Sequence, residues 1–434
     1  MNIESSMELG GTTLGPEDSH WIGDYRAVHM NVFGTPLRVM DHGSGTRIWD
    51  VDGNGYLDFL GGIAVNSLGY AHPRWTAAVA DQAAKVAHTS NYFATEPQIR
   101  LAEKLVSIAG APQGSHVYFG NSGTEGNEAA LKLARLYGRT LMDGREITAR
   151  SVPRIIALTH GFHGRTLGSL SATWKPAIRE PFEPLMPGVE FVGSGDIDAM
   201  RRSFDATGQD GCGPVAAVIL ELIQGEAGVR PLDLDYVKAV RRLCDERHAL
   251  MIVDEVQTGI GRTGRWFAFQ REDLSGGIVP DVVTFAKGVA GGFPMGGMIA
   301  FGQALSDLFT PGSHGSTFAG NPLGAAAALT TLHVIEDDGL LENCETRGRQ
   351  LRDGITQCGN ALFAGVRGRG LLDAIQLSHP CAHAAMEWAL DHGLIVNAVA
   401  PDALRMAPPL IVSESDVDEA VSILARVPGD LVDD

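Results

Sequence analysis

Short apolar runs that alternate with helical segments most constrain how this chain can fold. PVAAVILE at 214–221 and ALMIVDE at 249–255 are apolar at nearly every position, so both faces of such strands must be covered. Similar strands are predicted at 115–119, 154–158 and 281–286, and helices at 74–87, 97–109, 125–138, 235–248 and 320–337. The alternation predicts an α/β fold in which helices cover both sides of a mostly parallel sheet.

The pattern changes beyond about residue 325 in this chain of 434 residues. Strand-like VRGRGLLDAIQL, GLIVNAV and LRMAPPLI surround a helix predicted at 382–392 and indicate a smaller α+β domain. RIWDVDGNGYLDFL, near the other end, reads as a hairpin. We expect a large domain at 76–325, a small domain at 326–434, and a segment at 1–75 that contributes to the small domain. Residues 1–19 are polar and predicted to be poorly ordered.

Charge and cysteine content exclude several classes of function. The net charge is −18 and no dense run of Lys or Arg exists, so no nucleic-acid partner is expected. Five scattered cysteines without a CxxC pair argue against a disulfide framework or a zinc site and for a reducing compartment. Neither a signal peptide nor an apolar run of about 20 residues is evident, so we expect a cytoplasmic protein without a membrane partner.

The segment FGNSGTEGNEAALKLARLYG, at 119–138, runs from a strand end into an amphipathic helix. Ser122 and Glu125 have capping-box spacing, and small residues at 122–124 leave backbone N–H groups open where the helix dipole favours an anion. A phosphate would fit there, although a plain helix cap explains the same residues. No GxxxxGK[ST] motif is present, so a nucleotide P-loop is not supported.

Two further predicted strands end in ionisable side chains that could take part in catalysis. Asp254 and Glu255 follow ALMIV, and Lys287 follows the apolar strand of PDVVTFAK. Ligands of open α/β sheets bind at such carboxyl ends, where burial favours the neutral, nucleophilic form of a lysine. In isolation, a solvated strand end or a surface lysine is an equally ordinary explanation. Together, a phosphate cradle, a carboxylate and a lysine are the three anchors that a pyridoxal phosphate needs.

Other motifs are weaker candidates for a site. GIGRTG at 259–264 spells GxGxxG, but no long helix opens at its third glycine, which disfavours a dinucleotide site. His160 and His163 have metal-like spacing without further ligands, so hydrogen bonding to neighbouring groups is favoured over a metal. Lys132, in a helix expected to be largely exposed, and Lys175, before a proline, do not end a buried strand.

The ordered motifs of the whole chain resemble the class III aminotransferases, which are fold-type I pyridoxal-phosphate enzymes. The motifs are LGGIAVNSLGYAHP, HTSNYFATEP, NSGTEGNEAALKLAR, HGFHGRT, ELIQGEAGV, DEVQTGIGRTG, FAKGVAGGFPMG, GSHGSTFAGNP, RGRGLL and RMAPPLI. The resemblance runs from about residue 25 to the C-terminus and is greatest for the acetylornithine branch. It implies a mostly parallel seven-stranded sheet in the large domain, and a homodimer with shared active sites.

The resemblance also implies where pyridoxal phosphate is held. Lys287 would carry the cofactor as a Schiff base and then act as the general acid and base. The expected contacts are Asp254 to the ring nitrogen, Gln257 near the phenolic oxygen, Val256 and Phe162 on the two ring faces, and Ser122, Gly123 and Thr124 at the phosphate. Thr317 of the neighbouring subunit would complete the phosphate site.

Substrate contacts follow from the same resemblance. Arg165 would bind the α-carboxylate of N2-acetylornithine, with Ser316 nearby. Arg405 would bind the second carboxylate of 2-oxoglutarate or glutamate and be masked by Glu226 when the ω-amino donor is bound. A structural ion pair is the alternative for these last two residues.

Phe33 matches a tyrosine that is thought to contact a free α-amine in ornithine δ-aminotransferase, the main rival. Succinylornithine, succinyl-diaminopimelate and a non-catalytic cofactor-binding role also remain open. Leu222 and Gly126 depart from the proline and alanine usual in the family, without loss of a chemical group.

Overall fold

The computed structural model describes residues 14–142, 144, 148, 151–209 and 212–433. Its largest sheet has seven strands: β4 (His116–Gly120), β5 (Arg154–Leu158), β6 (Val189–Val192), β7 (Val215–Leu220), β10 (Leu250–Asp254), β11 (Val282–Phe285) and β12 (Gly296–Ala300). They lie in the order β4-β12-β11-β10-β7-β5-β6. β12 is antiparallel to both of its neighbours, and the other pairings are parallel. The predicted mostly parallel seven-stranded sheet is confirmed.

Helices cover both faces of this sheet. They are α3 (Pro73–Lys85), α4 (Glu96–Ile108), α5 (Gly123–Thr140), α6 (Leu167–Ser171), α7 (Pro176–Arg179), α8 (Ile197–Asp205), α9 (Leu234–Arg247), α10 (Glu272–Ser275), α11 (Gln303–Ser306) and α12 (Pro322–Asp337). On one face, Ile219 and Ile252 pack in a cluster with Ala130 of α5. On the other face, Val218 and Val253 belong to the main core. Alternate residues of β7 and β10 are thus buried on opposite sides of the sheet, as their continuous apolar runs predict.

The sequence patterns did not identify β6 and β12. β6 is a partly exposed edge strand of four residues, and β12 begins with two glycines that look like a turn. Gly126, one of the family departures, faces β12 closely, because a Cβ at that position would lie 2.4 Å from the carbonyl oxygen of Gly297. The glycine therefore permits a close approach of α5 to the sheet.

Two smaller sheets contain the N- and C-terminal strands. The first has the order β1-β2-β3-β15, with β1 (Met40–Ser44), β2 (Arg47–Asp50), β3 (Gly55–Asp58) and β15 (Leu394–Ile395). The second has the order β13-β14-β17-β16, with β13 (Phe363–Arg369), β14 (Leu372–Leu377), β17 (Ala403–Met406) and β16 (Asn397–Ala400). A two-stranded ladder joins β8 (Ile223–Gln224) to β9 (Arg230–Pro231). The remaining helices are α1 (Pro16–Val28), α2 (Gly61–Ala64), α13 (Leu340–Gln357), α14 (Ala382–Asp391) and α15 (Glu414–Leu424).

The strand pairings relate the chain ends to one another. β2 and β3 form the predicted hairpin, and β3 pairs in parallel with β15 from the C-terminal part. This pairing agrees with an N-terminal segment that contributes to a small domain, while the domain limits at 75 and 325 stay predictions. Of the helices in the described ranges, none has the length and apolar character needed to cross a bilayer.

The prediction of poor order at 1–19 is wrong for its last residues. Residues 1–13 lie outside the described residues, but α1 starts at Pro16. The carboxylate of Asp52 accepts hydrogen bonds from the backbone N–H groups of Glu17 and Asp18, and Asp18 is buried. A proline at N1 and an acidic group at the helix N-terminus favour this start, and the acidic group comes from a hairpin turn distant in sequence.

Candidate active site

A cavity of about 400 Å³ lies at the carboxyl ends of the parallel strands. Open α/β sheets place their ligands at this edge. Ten of the residues predicted to bind cofactor or substrate line the cavity: Ser122, Gly123, Thr124, Phe162, Arg165, Glu226, Asp254, Val256, Gln257 and Lys287. Residues from five separate parts of the sequence thus meet in one place.

Lys287 begins a 3₁₀ turn two residues after β11, and its φ is +44°. A positive φ is unfavourable for a residue with a Cβ, so the surrounding structure must hold the backbone in this conformation. Burial lowers the pKa of the Lys287 amine to about 8, an effect that the Glu226 carboxylate opposes and the Arg405 guanidinium reinforces. More of this amine is neutral and nucleophilic near pH 7 than in an ordinary lysine.

This pKa predicts how Lys287 reacts in the cofactor-free protein. Its rate of reductive methylation by formaldehyde should rise about tenfold per pH unit and level off near pH 8, because the neutral amine is the nucleophile. Mass spectrometry of the Lys287 peptide measures the rate. A peptide with an unperturbed lysine, whose pKa is about 10.4, serves as the control. A rate that still rises steeply beyond about pH 10 would contradict a depressed pKa.

Asp254 is a buried carboxylate held by three hydrogen bonds. It accepts from His163 Nδ1 at 2.8 Å, from the Asn127 amide at 2.8 Å and from the Val256 backbone N–H at 3.0 Å. Burial opposes ionisation of Asp254, but the hydrogen bond and charge of His163, with the other two donors, outweigh it and lower the pKa of Asp254. The carboxylate is therefore charged and fixed at neutral pH, as a partner for a cationic ring nitrogen must be.

The first turn of α5 forms the anion-binding end of the cavity. Ser122 is the N-cap and accepts the Glu125 N–H at 3.3 Å, while the Glu125 carboxylate bonds to the Asn121 N–H rather than closing the full capping box. The Thr124 hydroxyl bonds to those of Ser169 at 2.5 Å and Thr166 at 2.9 Å. A Cβ at Gly123 would lie 2.6 Å from Val256. The backbone N–H groups and hydroxyls of this turn suit a phosphate.

Two arginines near the cavity differ in state: Arg165 lines it, whereas Arg405 lies behind the lining residues Glu226 and Gln257, to which it donates. Arg405 is fully buried and paired with Glu226, and its other nitrogen donates to Asn397 at 2.7 Å. Arg165 is exposed, lies 5.7 Å from the centre of the Phe162 ring, and has no carboxylate partner among the residues that the structure describes. One arginine is therefore masked and the other open, and both carry the planar guanidinium that suits a carboxylate.

Four predicted site residues, Arg405, Ser316, Thr317 and Phe33, are not among the residues that line the cavity in the single chain. The Ser316 hydroxyl bonds to Asn121 at 3.1 Å and to Glu125 at 3.2 Å. Thr317 and Phe33 are exposed. The cofactor and substrate roles given to these residues, and to the ten that line the cavity, stay predictions.

The weaker candidate motifs of the sequence have structural roles. Arg262 of GIGRTG is fully buried and donates to the carbonyl oxygens of Leu371 and Pro408, so the motif joins the large sheet to the C-terminal part. His163 bonds to Asp254, and the ring of His160 packs edge-on to Trp174. Neither Lys132 nor Lys175 lines the cavity, although α5 is largely buried rather than exposed as predicted.

Arg262→Ala is expected to lower the free energy of unfolding by about 2–4 kcal/mol. The substitution leaves two buried carbonyl groups without a charged donor and opens a cavity. Urea denaturation followed by circular dichroism measures the effect. Arg265→Ala on the same loop is the control, because that side chain is half exposed, and an equal loss of stability in both variants would contradict the assigned role.

Sequence reasoning did not single out Asn127 or Glu221 as site residues. Asn127 lies one helical turn after Gly123 and so faces the same cavity. Glu221 directly follows β7, as Asp254 closes the neighbouring β10. The strand-end rule that identified Asp254 applies equally to Glu221.

The chain is similar to known proteins along most of its length. The sequence profile of the aminotransferase class-III family matches residues 30–427. The chain belongs to the class III aminotransferases. It is 72% identical to the acetylornithine aminotransferase of Bifidobacterium longum over 97% of this chain and 98% of the relative. Identity to the acetylornithine aminotransferase of Mycobacterium tuberculosis is 48%, over 97% and 98% of the two chains.

Solved structures of this family have the same fold. The ornithine aminotransferase of Toxoplasma gondii, whose active site holds pyridoxal phosphate at partial occupancy, superposes with a TM-score of 0.86 at 28% identity, covering 94% of this chain and 93% of the other. The acetylornithine aminotransferase of Elizabethkingia anophelis gives a TM-score of 0.79 at 30% identity, covering 94% and 98% of the two chains. This class III aminotransferase is thus a pyridoxal-phosphate-dependent transferase.

The cavity residues fit that cofactor. The N-terminal turn of α5 offers N–H groups and hydroxyls for the phosphate, and the buried Asp254 carboxylate offers a charge partner for the pyridine nitrogen. Lys287 offers an amine whose lowered pKa increases the neutral, nucleophilic fraction that reaction with the aldehyde carbon requires. When bound, pyridoxal phosphate supplies an electron sink for the carbon that loses its proton.

Proposed function

We propose that this class III aminotransferase transfers the δ-amino group of N2-acetyl-L-ornithine to 2-oxoglutarate and so serves arginine biosynthesis. The observation that carries the proposal is the open Arg165 in the cavity wall, together with Arg405, which is masked by the lining residue Glu226. The ω-amino donor has one carboxylate and glutamate has two. A site that accepts both must therefore expose a second arginine when glutamate binds and mask it when the ω-amino donor binds. The names of the relatives at 72% and 48% identity support the choice of donor.

The residues would divide the work as follows. Arg165 binds the α-carboxylate of the acetylated donor through its guanidinium fork while the Glu226 carboxylate stays on Arg405. Glutamate or 2-oxoglutarate displaces Glu226, which is partly exposed and therefore free to turn, and places its second carboxylate on Arg405. Lys287 would act as general base and then as general acid: it takes the proton from the substrate carbon and returns it to the carbon on the other side of the amino nitrogen. With pyridoxal phosphate bound, Asp254 would keep the proton on the ring nitrogen, Phe162 and Val256 would pack on the ring, and Gln257 would lie near the phenolic oxygen.

The donor is tested by kcat/KM for N2-acetylornithine against free ornithine. We expect the acetylated donor to be preferred by at least about tenfold, because Phe33 offers no hydroxyl to a charged α-amine and an unpaired charge is costly. Equal or greater activity with ornithine would contradict the proposal and favour an ornithine δ-aminotransferase. Succinylornithine and succinyl-diaminopimelate belong in the same series, since Arg165 would treat their α-carboxylates alike.

We also propose that the enzyme is a homodimer whose subunits share active sites. Thr317 is exposed in the single chain, next to an exposed apolar Phe318, and the exposed Tyr92 and Phe93 follow Asn91, whose amide bonds to Ala319. An apolar surface of this kind is typical of a subunit interface. Thr317 and Ser316 of one subunit would then complete the phosphate and substrate sites of the other.

Mixing two variants at a pyridoxal phosphate concentration too low to saturate Thr317→Ala tests the shared site. Thr317→Ala should weaken cofactor binding, and Lys287→Ala should remove activity. Subunit exchange between them creates one site with both native residues, so up to about a quarter of the wild-type activity should return, since hybrids are about half of a random mixture and carry one intact site each. If both residues acted within one chain, the mixture would gain no activity.

We assign the enzyme to the cytoplasm on the state of its cysteines. All five are free thiols, three of them buried, and the structure places no pair in a disulfide. Free thiols persist in reducing compartments.

A further inference from the structure

Glu221 is a buried carboxylate that lines the cavity and has no role in the transamination as proposed. It follows β7, is 6% exposed and lines the cavity near Lys287. One of its carboxylate oxygens accepts the backbone N–H of Phe162 at 2.9 Å, and the other accepts the backbone N–H of Gly225 at 3.1 Å. These are the hydrogen bonds of its side chain within the described part of the chain.

The two backbone groups belong to the two segments that recognise substrate. Phe162 lies under the guanidinium of Arg165, three residues later in the same loop. Gly225 precedes Glu226, which pairs with Arg405, and the Gly225 carbonyl itself lies 3.5 Å from an Arg405 nitrogen. A side chain at 225 would collide with Gln257, since a Cβ there would lie 2.0 Å from its oxygen. Glu221 is thus the direct bridge between the open arginine and the masked one.

We propose that Glu221 is a positioning residue that holds the Phe162–Arg165 segment and the Gly225–Glu226 segment at a fixed spacing, and that only its ionised form does so. Two N–H donors need two acceptor oxygens, and a carboxylate supplies both. An amide places its NH₂ group against one of these N–H groups and loses that hydrogen bond, and a protonated carboxyl weakens it because a hydroxyl oxygen is a poorer acceptor than a carboxylate oxygen. The inference rests on the proposed transamination and adds a determinant of substrate binding to it.

The electrostatic surroundings make this ionisation relevant near neutral pH. The charged groups that act on Glu221 are His163, Asp254 and Lys287. Burial and the Asp254 carboxylate raise the pKa of Glu221 to about 7. The charge of His163 and the two backbone N–H groups lower this pKa but do not outweigh burial. Below pH 7 the carboxyl is therefore protonated in a growing fraction of molecules, and the bridge should loosen.

The matched control is Glu255. It also follows a strand of the sheet, is buried, accepts two backbone N–H groups, from Ala268 and Phe269, and has a pKa raised by burial to about 7. It does not line the cavity, and its partners lie outside both recognition segments. Glu221→Gln and Glu255→Gln therefore make similar changes in burial and charge at different places.

The test measures each half-reaction of the holoenzyme separately, with glutamate and with N2-acetylornithine. Glu221→Gln should raise KM for both donors by about tenfold or more and change kcat by less than about threefold, because binding geometry rather than proton transfer is altered. Glu255→Gln should leave KM within about twofold of wild type. An unchanged KM in Glu221→Gln, or an equal rise in Glu255→Gln, would overturn the proposal.

The wild-type enzyme provides a second measurement that needs no substituted protein to fold. KM for glutamate should rise as pH falls from about 8 to 6, with a midpoint near 7, and the rise should be absent in Glu221→Gln. The substrate carboxylates titrate well below this range. A KM that is flat across the range in wild type would overturn the proposal. The measurement with glutamate does not depend on the identity of the acylated donor. A wrong donor and a wrong role for Glu221 would therefore give different results.

Discussion

Lys287→Ala is expected to lower the rate of both half-reactions by about 10⁴-fold. The substitution removes the amine that attaches the cofactor and the base that moves the substrate proton, and a positioned general base alone contributes about 10² to 10⁴. No other lysine lines the cavity among the described residues. Rapid mixing of the holoenzyme with glutamate, followed by its absorbance change, measures the rate.

The loss should be chemical rather than structural. The alanine variant should still bind pyridoxal phosphate, because Asp254 and the 122–124 turn do not depend on the lysine side chain. Borohydride should fix the cofactor covalently to wild type and to Lys132→Ala, but not to Lys287→Ala. Small primary amines should restore part of the proton-transfer rate, increasingly with their basicity. Covalent labelling that survives in Lys287→Ala would assign the attachment to another lysine.

Much of the fold follows from one sequence property. The five predicted strands all exist. In β5, β7, β10 and β11, burial on both faces leaves an apolar signal at nearly every position, whereas β4 is an edge strand that is fully buried only at its end. β6 and β12 were not predicted, because β6 is a partly exposed edge and β12 begins with two glycines. A Cβ at Gly296 would lie 2.5 Å from the Ser122 carbonyl oxygen, and one at Gly297 would lie 2.0 Å from the Tyr118 carbonyl oxygen. The start of α1 was missed because its stabilising carboxylate, Asp52, lies 34 or more residues away. Local patterns do not report contacts of that range.

The site shows the same division between local and distant signals. Lys287 and Asp254 lie at the ends of strands, and the 122–124 turn lies between β4 and the start of α5. Sequence patterns can therefore identify all three as parts of a possible site. The pairing of Glu226 with Arg405 joins residues 179 positions apart and was expected only from the family resemblance. The partners of Asp254, namely His163 and Asn127, come from two further segments. The charge state of the carboxylate therefore became clear only from the three-dimensional structure.

That charge state underlies the second large effect, for Asp254→Asn. We expect both half-reactions to slow by about 10³-fold, because a neutral amide does not hold a proton on the ring nitrogen and the electron sink weakens. The amide keeps the shape of the side chain and an acceptor for the Val256 N–H, so the fold should persist. Glu255→Gln, which neutralises the adjacent buried carboxyl outside the cavity, is the control.

The comparison between the two half-reactions separates this effect from a defect in substrate binding. Asp254 would act on the cofactor, which both half-reactions share, so kcat should fall by a similar factor with glutamate and with the ω-amino donor while KM changes little. Arg405→Leu, in contrast, should raise KM for glutamate far more than for the ω-amino donor, because only glutamate brings a second carboxylate. If Asp254→Asn slowed one half-reaction alone, or slowed both by less than about threefold, the carboxylate would have to be reassigned from the ring nitrogen to the substrate or to the protein frame.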